Sequence, residues 1–378
     1  MRSTRVDAND AQPVRPRLAK ITLRGFKTIR DLANFEPKSL TVLIGPNGAG
    51  KSNFISFFRL TSRALAPPGQ LQFYVEKQGG ASAALHQGAS VTQQIEAVLT
   101  LTTGRARNEY GFRLFHASGD TLIFADEWFL YEPHGQHRQP RNLGAGHREA
   151  QLIGRPGTAA VIGGMLRRII VYQFHNTSET ARIRNKWDAS DNRYLKEDGA
   201  NLGSFLHRLE ISQPEYYARI VDTIRLVLPF FATFELYPES GSVLLRWREI
   251  GSDHVFNVSQ ASDGMLRAMA LIALLQQPER DLPDVLILDE PELGLHPYAI
   301  EVLAGLIHSA STHVQVMVAT QSVSLIDRFE PDDIVVTHRS DRETSFRRLS
   351  SAELTEWLET YTLSELWEKN VVGGRPSH

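Results

Sequence analysis

Apolar and polar positions along the chain fall into blocks of different period, and the blocks predict its elements. Ala19–Phe26 alternates apolar and polar residues and predicts a strand. Ser39–Ile44 is a short apolar run ending at Gly45-Pro46, the pattern of a buried strand that meets a turn. Lys51–Leu65 follows as a helix with Phe54, Ile55, Phe58 and Leu65 on its apolar side. Pro67, Pro68 and Gly69 break the pattern. Val91–Leu101, Tyr110–His116 and Thr121–Tyr131 then alternate, with turns at Gly104 and Ser118-Gly119-Asp120, which predicts an antiparallel sheet. Pro133–Gly157, rich in His, Arg, Gly and Pro, predicts an exposed loop. Arg167–Phe174 predicts another buried strand, Asn201–Glu210 and Pro214–Leu228 two helices, and Ser242–Glu249 a strand. Helix Gly264–Gln276, strand Val285–Asp289, helix Pro297–His308 and strands Val314–Thr320 and Ile334–His338 come next. Short helices near Ser351–Glu359 and Leu363–Glu368 precede Gly373-Gly374-Arg375-Pro376.

Strand and helix alternation at both ends predicts an α/β fold whose mostly parallel core is assembled from the two ends of the chain. The expected division is a disordered leader at 1–17 and a first part of the core at 18–66. A β-rich insertion at 67–165, with its exposed loop at 133–157, precedes a lobe of helices and strands at 166–258. The second part of the core is expected at 259–378.

Composition narrows the function classes. Of 378 residues, 42% are hydrophobic and 22% charged, enough for a full core. Lys and Arg number 41 against 43 Asp and Glu, which argues against a globally basic nucleic-acid binder and leaves a local basic face open. With 0 cysteines, disulfides, Cys-based zinc sites and thiol catalysis drop out, and a reducing cytoplasm fits. No apolar run is long enough to cross a bilayer, and Met1–Arg17 lacks the apolar stretch of a secretion signal. The expected location is the cytoplasm, without membrane attachment.

Gly45-Pro46-Asn47-Gly48-Ala49-Gly50-Lys51-Ser52 matches the phosphate-binding pattern G-x-x-x-x-G-K-[ST] in full. Glycines let the backbone curl until several N–H groups point at phosphate oxygens, and the following helix adds its positive end. Lys51 then reaches the β- and γ-phosphates, the Ser52 hydroxyl meets Mg²⁺, and Asn53 continues the cradle. A chance glycine turn is the alternative, and the strand before and helix after weigh against it. ATP and Mg²⁺ are the implied ligands. Val285–Asp289 followed by Glu290 is an apolar strand delivering two acids to its carboxyl end, where open parallel sheets bind ligands. Asp289 is expected to hold Mg²⁺ and Glu290 to polarise the attacking water; an acidic surface turn is the alternative.

These segments resemble the ABC class of P-loop ATPases in its RecF/SMC/OLD-like branch, a set that includes bacterial AAA-type ATPases. Ser259–Arg267, with Ser262-Asp263-Gly264 at its centre, is similar to the class signature. The resemblance implies that Ser262 and Gly264 contact the γ-phosphate of ATP held by a second subunit; an ordinary helix cap is the alternative. Pro291–Pro297 is similar to the loop that crosses the dimer interface. At Thr320-Gln321-Ser322 the class has a switch residue, commonly His. Gln321 would there orient a water and contact the γ-phosphate without carrying a proton, or else only cap the helix that follows. Ala19–Asp31 resembles the opening strand, which brings Phe26 or Lys27 near the nucleotide or leaves them as core and surface. For the Mg²⁺-contacting Gln of relatives, Gln87 and Gln173 both stand as candidates. Tyr172–Ser178 and the tail from Leu363 resemble the bacterial group as well.

What the resemblance implies is a homodimer, or a higher oligomer, that closes on shared ATP sites and reopens on hydrolysis. Such heads serve DNA repair, DNA maintenance or phage defence with an effector partner. The chain shows neither coiled-coil arms nor a nuclease domain after its core, so nuclease action is expected in a partner protein. An ATP-sensing module with little turnover and a transporter ATPase subunit are the alternatives. His134, His137 and His147 with Arg138, Arg141 and Arg148 crowd one loop. That loop is open to three readings: merely solvated, touching a nucleic-acid backbone, or holding a metal without a favoured ligand spacing.

Overall fold

The computed structural model describes residues 15–373. Residues 1–14 of the expected leader, and Gly374-Arg375-Pro376 of the tail, lie outside the described residues. The last three leader positions are structured, because Arg15 pairs with Asp284 at 3.3 Å and Arg17 begins a strand.

The chain opens with β1 (Arg17–Phe26), β2 (Ile29–Phe35), β3 (Leu40–Ile44) and α1 (Lys51–Ala64). Next come α2 (Gln70–Lys77), α3 (Ala81–Ala84), β4 (Gln94–Thr103), β5 (Ala106–Ala117), β6 (Thr121–Pro133) and β7 (Arg141–Gly144). The middle holds α4 (Thr158–Arg167), β8 (Ile169–Tyr172), β9 (Trp187–Asp188), α5 (Leu202–Ser212) and α6 (Pro214–Val227). Short strands β10 (Phe231–Phe234), β11 (Ser242–Val243), β12 (Arg246–Glu249) and β13 (Val255–Asn257) precede α7 (Asp263–Leu275). Then follow β14 (Val285–Asp289), α8 (Pro297–Ser311), β15 (Gln315–Thr320), α9 (Val323–Ile326), β16 (Ile334–Ser340) and β17 (Glu343–Arg348). Helices α10 (Ser351–Leu358) and α11 (Leu363–Glu368) end the described chain.

The core is a six-stranded sheet in the order β17-β16-β3-β15-β14-β8, parallel except for β17. Strands β3, β14 and β15 are buried at every residue, as parallel strands covered on both faces must be. Alternate residues serve two cores. Leu43, Ile287, Met317 and Val335 pack with Phe54, Ile55 and Phe58 of α1. Val42, Ile44, Leu286, Leu288, Val316 and Val318 pack with the helices on the opposite face, including Leu266 and Met269 of α7 and Ile307 of α8. The α/β class read from the sequence is the class observed.

A second six-stranded sheet, antiparallel, runs β2-β1-β4-β5-β6-β7. It extends beyond 67–165, since β1 and β2 lie in it. The segment Pro133–Gly157 is not wholly an exposed loop. It contributes β7, and the buried Glu127 carboxylate accepts the backbone N–H groups of Gln151 and Leu152 at 2.7 and 3.1 Å. His147 stacks on Phe124 at 5.0 Å, so it is packed rather than solvated. The single strand expected at Ser242–Glu249 is two: β11 pairs with β9, while β12 joins a sheet β10-β12-β13. Leu244 and Leu245 carry the chain between those sheets. Among the described residues no helix is long and apolar enough to cross a membrane.

Candidate functional site

Strand β3 ends at Ile44 and feeds a loop, residues 45–50, that is braced by the far end of the chain. Thr337 of β16 donates its hydroxyl to Ile44 O at 2.8 Å, and Thr344 of β17 donates to Ala49 O at 2.9 Å. A β-carbon on Gly50 would lie 2.1 Å from Thr344 Oγ1, so this contact leaves room only for glycine. Gly48, at φ +80°, has nothing within 4 Å of where a β-carbon would sit. Asn47, Gly48 and Ser52 are exposed, Pro46 and Asn53 half-buried, and Gly45, Ala49 and Gly50 buried. The exposed loop backbone and the N-terminus of α1 thus share one opening.

Lys51 is buried beneath this loop, its Nζ donating to Gly45 O at 2.5 Å and Pro46 O at 3.2 Å. Burial pulls its pKa down, and the carboxylates of Glu290, Glu292 and Asp289 oppose that pull. Asp289 sits at the carboxyl end of β14, 5% exposed. Burial raises its pKa, and the nearby Arg59 and Lys51 cations oppose that. Its Oδ2 accepts from Gln173 Nε2 at 3.1 Å and Arg59 Nη2 at 3.4 Å, whereas Oδ1 is buried without a partner. Glu290 adopts φ +44°, and its Oε1 accepts from Gln321 Nε2 at 3.2 Å. Capping of α9 falls to Ser322, whose hydroxyl accepts from Leu325 N at 3.3 Å, leaving the Gln321 side chain on Glu290.

Pairing of β8 with β14 in register, Tyr172 opposite Leu288, sets Gln173 beside Asp289. Gln87 lies elsewhere and bonds the ring of His86 at 3.1 Å. Of the two glutamines, Gln173 is therefore the one at the acid. Phe26 is 1% exposed and packs edge-on against Phe57 at 6.2 Å, which makes it core. The Lys27 ammonium lies over the Phe26 ring at 5.5 Å; burial lowers its pKa, and the nearby Arg59 cation adds to that.

The exposed Ser262 caps α7, accepting from Met265 N at 3.2 Å. A β-carbon on Gly264 would meet Gly294 O at 2.5 Å, so helix and loop are in contact there. Arg267 fastens the same helix, donating to Phe174 O at 3.1 Å, His175 O at 2.9 Å and Leu293 O at 3.0 Å. Among the described residues no hydrogen bond joins Ser262 or Gly264 to the loop 45–52. The structure thus brings Lys51, Asp289, Glu290 and Gln321 together, while Ser262 is exposed and Gly264 is half-buried against Gly294.

Several residues around the acids and the loop 45–50 lie outside the candidates read from the sequence: Arg59, His175, Glu292, Thr337 and Thr344. Glu292 is buried and accepts from Thr320 Oγ1 at 2.5 Å and Gln321 N at 3.4 Å. Arg59 had one legible sign, a charge within the apolar stripe of α1, two turns on from Lys51. For a metal, the orphaned Asp289 Oδ1 and the exposed Ser52 hydroxyl fit Mg²⁺. Among the described residues no group of three His, Asp or Glu is placed to hold an ion alone. That is the expected donor set for Mg²⁺, which uses one or two carboxylates with substrate phosphates.

Residues 40–327 match the family model described as "AAA domain, putative AbiEii toxin, Type IV TA system". Comparison with curated proteins finds no match. Among solved structures, the SmcHead bound to the C-winged helix domain of ScpA superposes with a TM-score of 0.62. It is 14% identical, over 90% of this chain and 99% of that one. The Smc head domain with an extended coiled coil, bound to the C-terminal domain of ScpA and derived from Pyrococcus furiosus, gives 0.59. It too is 14% identical, over 91% of this chain and 99% of that one. At such identity the likeness shows the fold. The family match spans more than half of the chain, so the protein belongs to this AAA-domain family, with the fold of an ABC-class P-loop ATPase of the SMC/RecF-like branch.

Proposed function

We propose that two copies of this chain close around shared Mg-ATP and that hydrolysis reopens them. The observation that carries the reading is the split just described. Lys51, Asp289, Glu290 and Gln321 gather under the loop 45–52, while Ser262 caps an exposed helix end that makes no hydrogen bond to that loop. Each chain then supplies the loop to one nucleotide and the helix end to the other, where a helix N-terminus favours an anion. Lys51 trades the Gly45 and Pro46 carbonyls for β- and γ-phosphate oxygens. Ser52 and Asp289 would hold the Mg²⁺ ion, which would supply positive charge to offset that of the phosphates. Glu290 takes the proton of the attacking water, and Gln321, which has no proton to exchange, orients that water. Closure draws its free energy from contacts that exist only with γ-phosphate present.

The solved neighbours hold a ScpA domain, and the family description names a toxin. In line with both, this head works in the cytoplasm with an effector protein, such as a nuclease, in DNA repair, DNA maintenance or phage defence. DNA is a candidate ligand of the closed dimer. The deciding experiment compares wild type with Glu290→Gln. The variant is expected to release phosphate about 10²-fold more slowly or worse, the usual cost of losing a general base. It should bind ATP normally and, with ATP and Mg²⁺, elute as a dimer. Equally slow release by both proteins, with unchanged sizing profiles, would make this an ATP sensor rather than an ATPase.

A further inference from the structure

Arg59 lies on α1 behind the phosphate loop, and one nitrogen of its guanidinium covers two oxygens at once. Nη2 donates to Gln173 Oε1 at 2.7 Å and to Asp289 Oδ2 at 3.4 Å. The Gln173 amide has its orientation set by three neighbours. Its NH₂ donates to Asp289 Oδ2 at 3.1 Å and meets His175 Nδ1 at 2.9 Å, while His175 Nε2 lies 2.8 Å from Asp289 O. That backbone carbonyl only accepts, so His175 carries its proton on Nε2 and accepts at Nδ1. The carbonyl oxygen of Gln173, the one atom of that side chain able to ligate a cation, is thereby turned to Arg59. The other oxygen of Asp289, Oδ1, is buried and unpaired. Lys27 and Lys51 add positive charge nearby and Glu290 negative charge.

We propose that Arg59 is a metal gate, a guanidinium that holds Gln173 Oε1 and Asp289 Oδ2, oxygens on which a divalent cation would draw, until nucleotide arrives. This rests on Asp289 being the Mg²⁺ ligand. Without nucleotide a lone buried carboxylate and an amide oxygen are a poor exchange for the tightly held water of Mg²⁺. The single charge of Arg59 satisfies them more cheaply. The triphosphate reverses the balance by bringing several negative charges. Arg59, whose side chain is 29% exposed, then has a path outward to solvent or phosphate. Metal and nucleotide consequently bind together, and the empty site stays closed to divalent ions.

Mn²⁺ titration of the full chain, followed by electron paramagnetic resonance, tests this. Without nucleotide, Arg59→Gln should bind Mn²⁺ at least about tenfold tighter than wild type, because a unit charge a few ångströms away has gone. Arg59→Lys should behave as wild type, and adding Asp289→Asn to Arg59→Gln should abolish the gain. An unchanged nucleotide-free affinity in Arg59→Gln, or a gain that survives Asp289→Asn, overturns the gate. Arg59→Ala serves the same comparison if the glutamine variant does not fold. Wild type with ATP is the control: if it takes up no Mn²⁺ even then, the fault lies in the reading of the ATP site, not in the gate.

Discussion

Gly48 and Gly50 stand two positions apart in the loop, yet they tolerate a side chain differently. Gly50 has φ +109°, and a β-carbon there would press within 2.1 Å of Thr344 Oγ1 and 2.7 Å of its methyl carbon. Gly48 has φ +80° and open space around it. Gly48→Ala should cost backbone strain alone, roughly 1–2 kcal/mol. Gly50→Ala should add an overpacking cost of about 1–3 kcal/mol. Denaturant melts of the nucleotide-free proteins measure both, and equal losses would refute the brace from β17. At this scale much of the site was legible. Lys51, Ser52, Asp289 and Glu290 stand in consecutive patterns whose chemistry each residue type dictates. Arg59 and His175 were not, because an arginine on a helix or a histidine in a loop acquires its meaning from what it faces.

Helix α11 shows how an element far along the chain is tied to the site. Thr362 and Glu365 form a reciprocal cap at its start. Asp327, just after α9, accepts from Ser364 N at 2.8 Å and Ser364 Oγ at 2.6 Å, and Leu366 is fully buried. Since α9 begins directly after Gln321-Ser322, α11 anchors the segment that positions Gln321. Asp327→Ala should remove about 1.5–3 kcal/mol, the usual worth of hydrogen bonds to a charged group. Amide exchange at 363–368 should quicken while that of α1 stays slow. Uniform acceleration across both helices would contradict a local anchor. Element prediction worked best where a strand is buried on both faces, as in β3, β14 and β15. It missed β17, Glu343–Arg348, because an edge strand whose one apolar residue is Phe346 carries no apolar run. It also missed α4, where Gly163 and Gly164 blur the helical pattern.

For the molecule as a whole, the shared-site reading makes a prediction that no single chain can satisfy. Ser262→Arg spoils the helix end but leaves the phosphate loop whole; Lys51→Ala does the reverse. Each variant alone should be nearly inactive. Mixed, they form dimers with one intact composite site, and phosphate release should return. A mixture as inactive as its parts would show that each chain works alone.

The sequence by itself determined the pieces: a phosphate cradle, an acid-tipped strand, a helix with a polar cap, and an α/β alternation around them. Each is written in neighbouring residues, through period, glycine placement or an abrupt switch from apolar to acidic. The tertiary structure alone decided that Gln173 and not Gln87 meets Asp289, that Phe26 is core, and that Arg59 bonds both Gln173 and Asp289. The contacts among Arg59, Gln173 and Asp289 join residues more than a hundred apart, as in the 114-residue separation of Arg59 and Gln173. They follow from which strands pair and in what register, and burial patterns along one strand do not specify its neighbour.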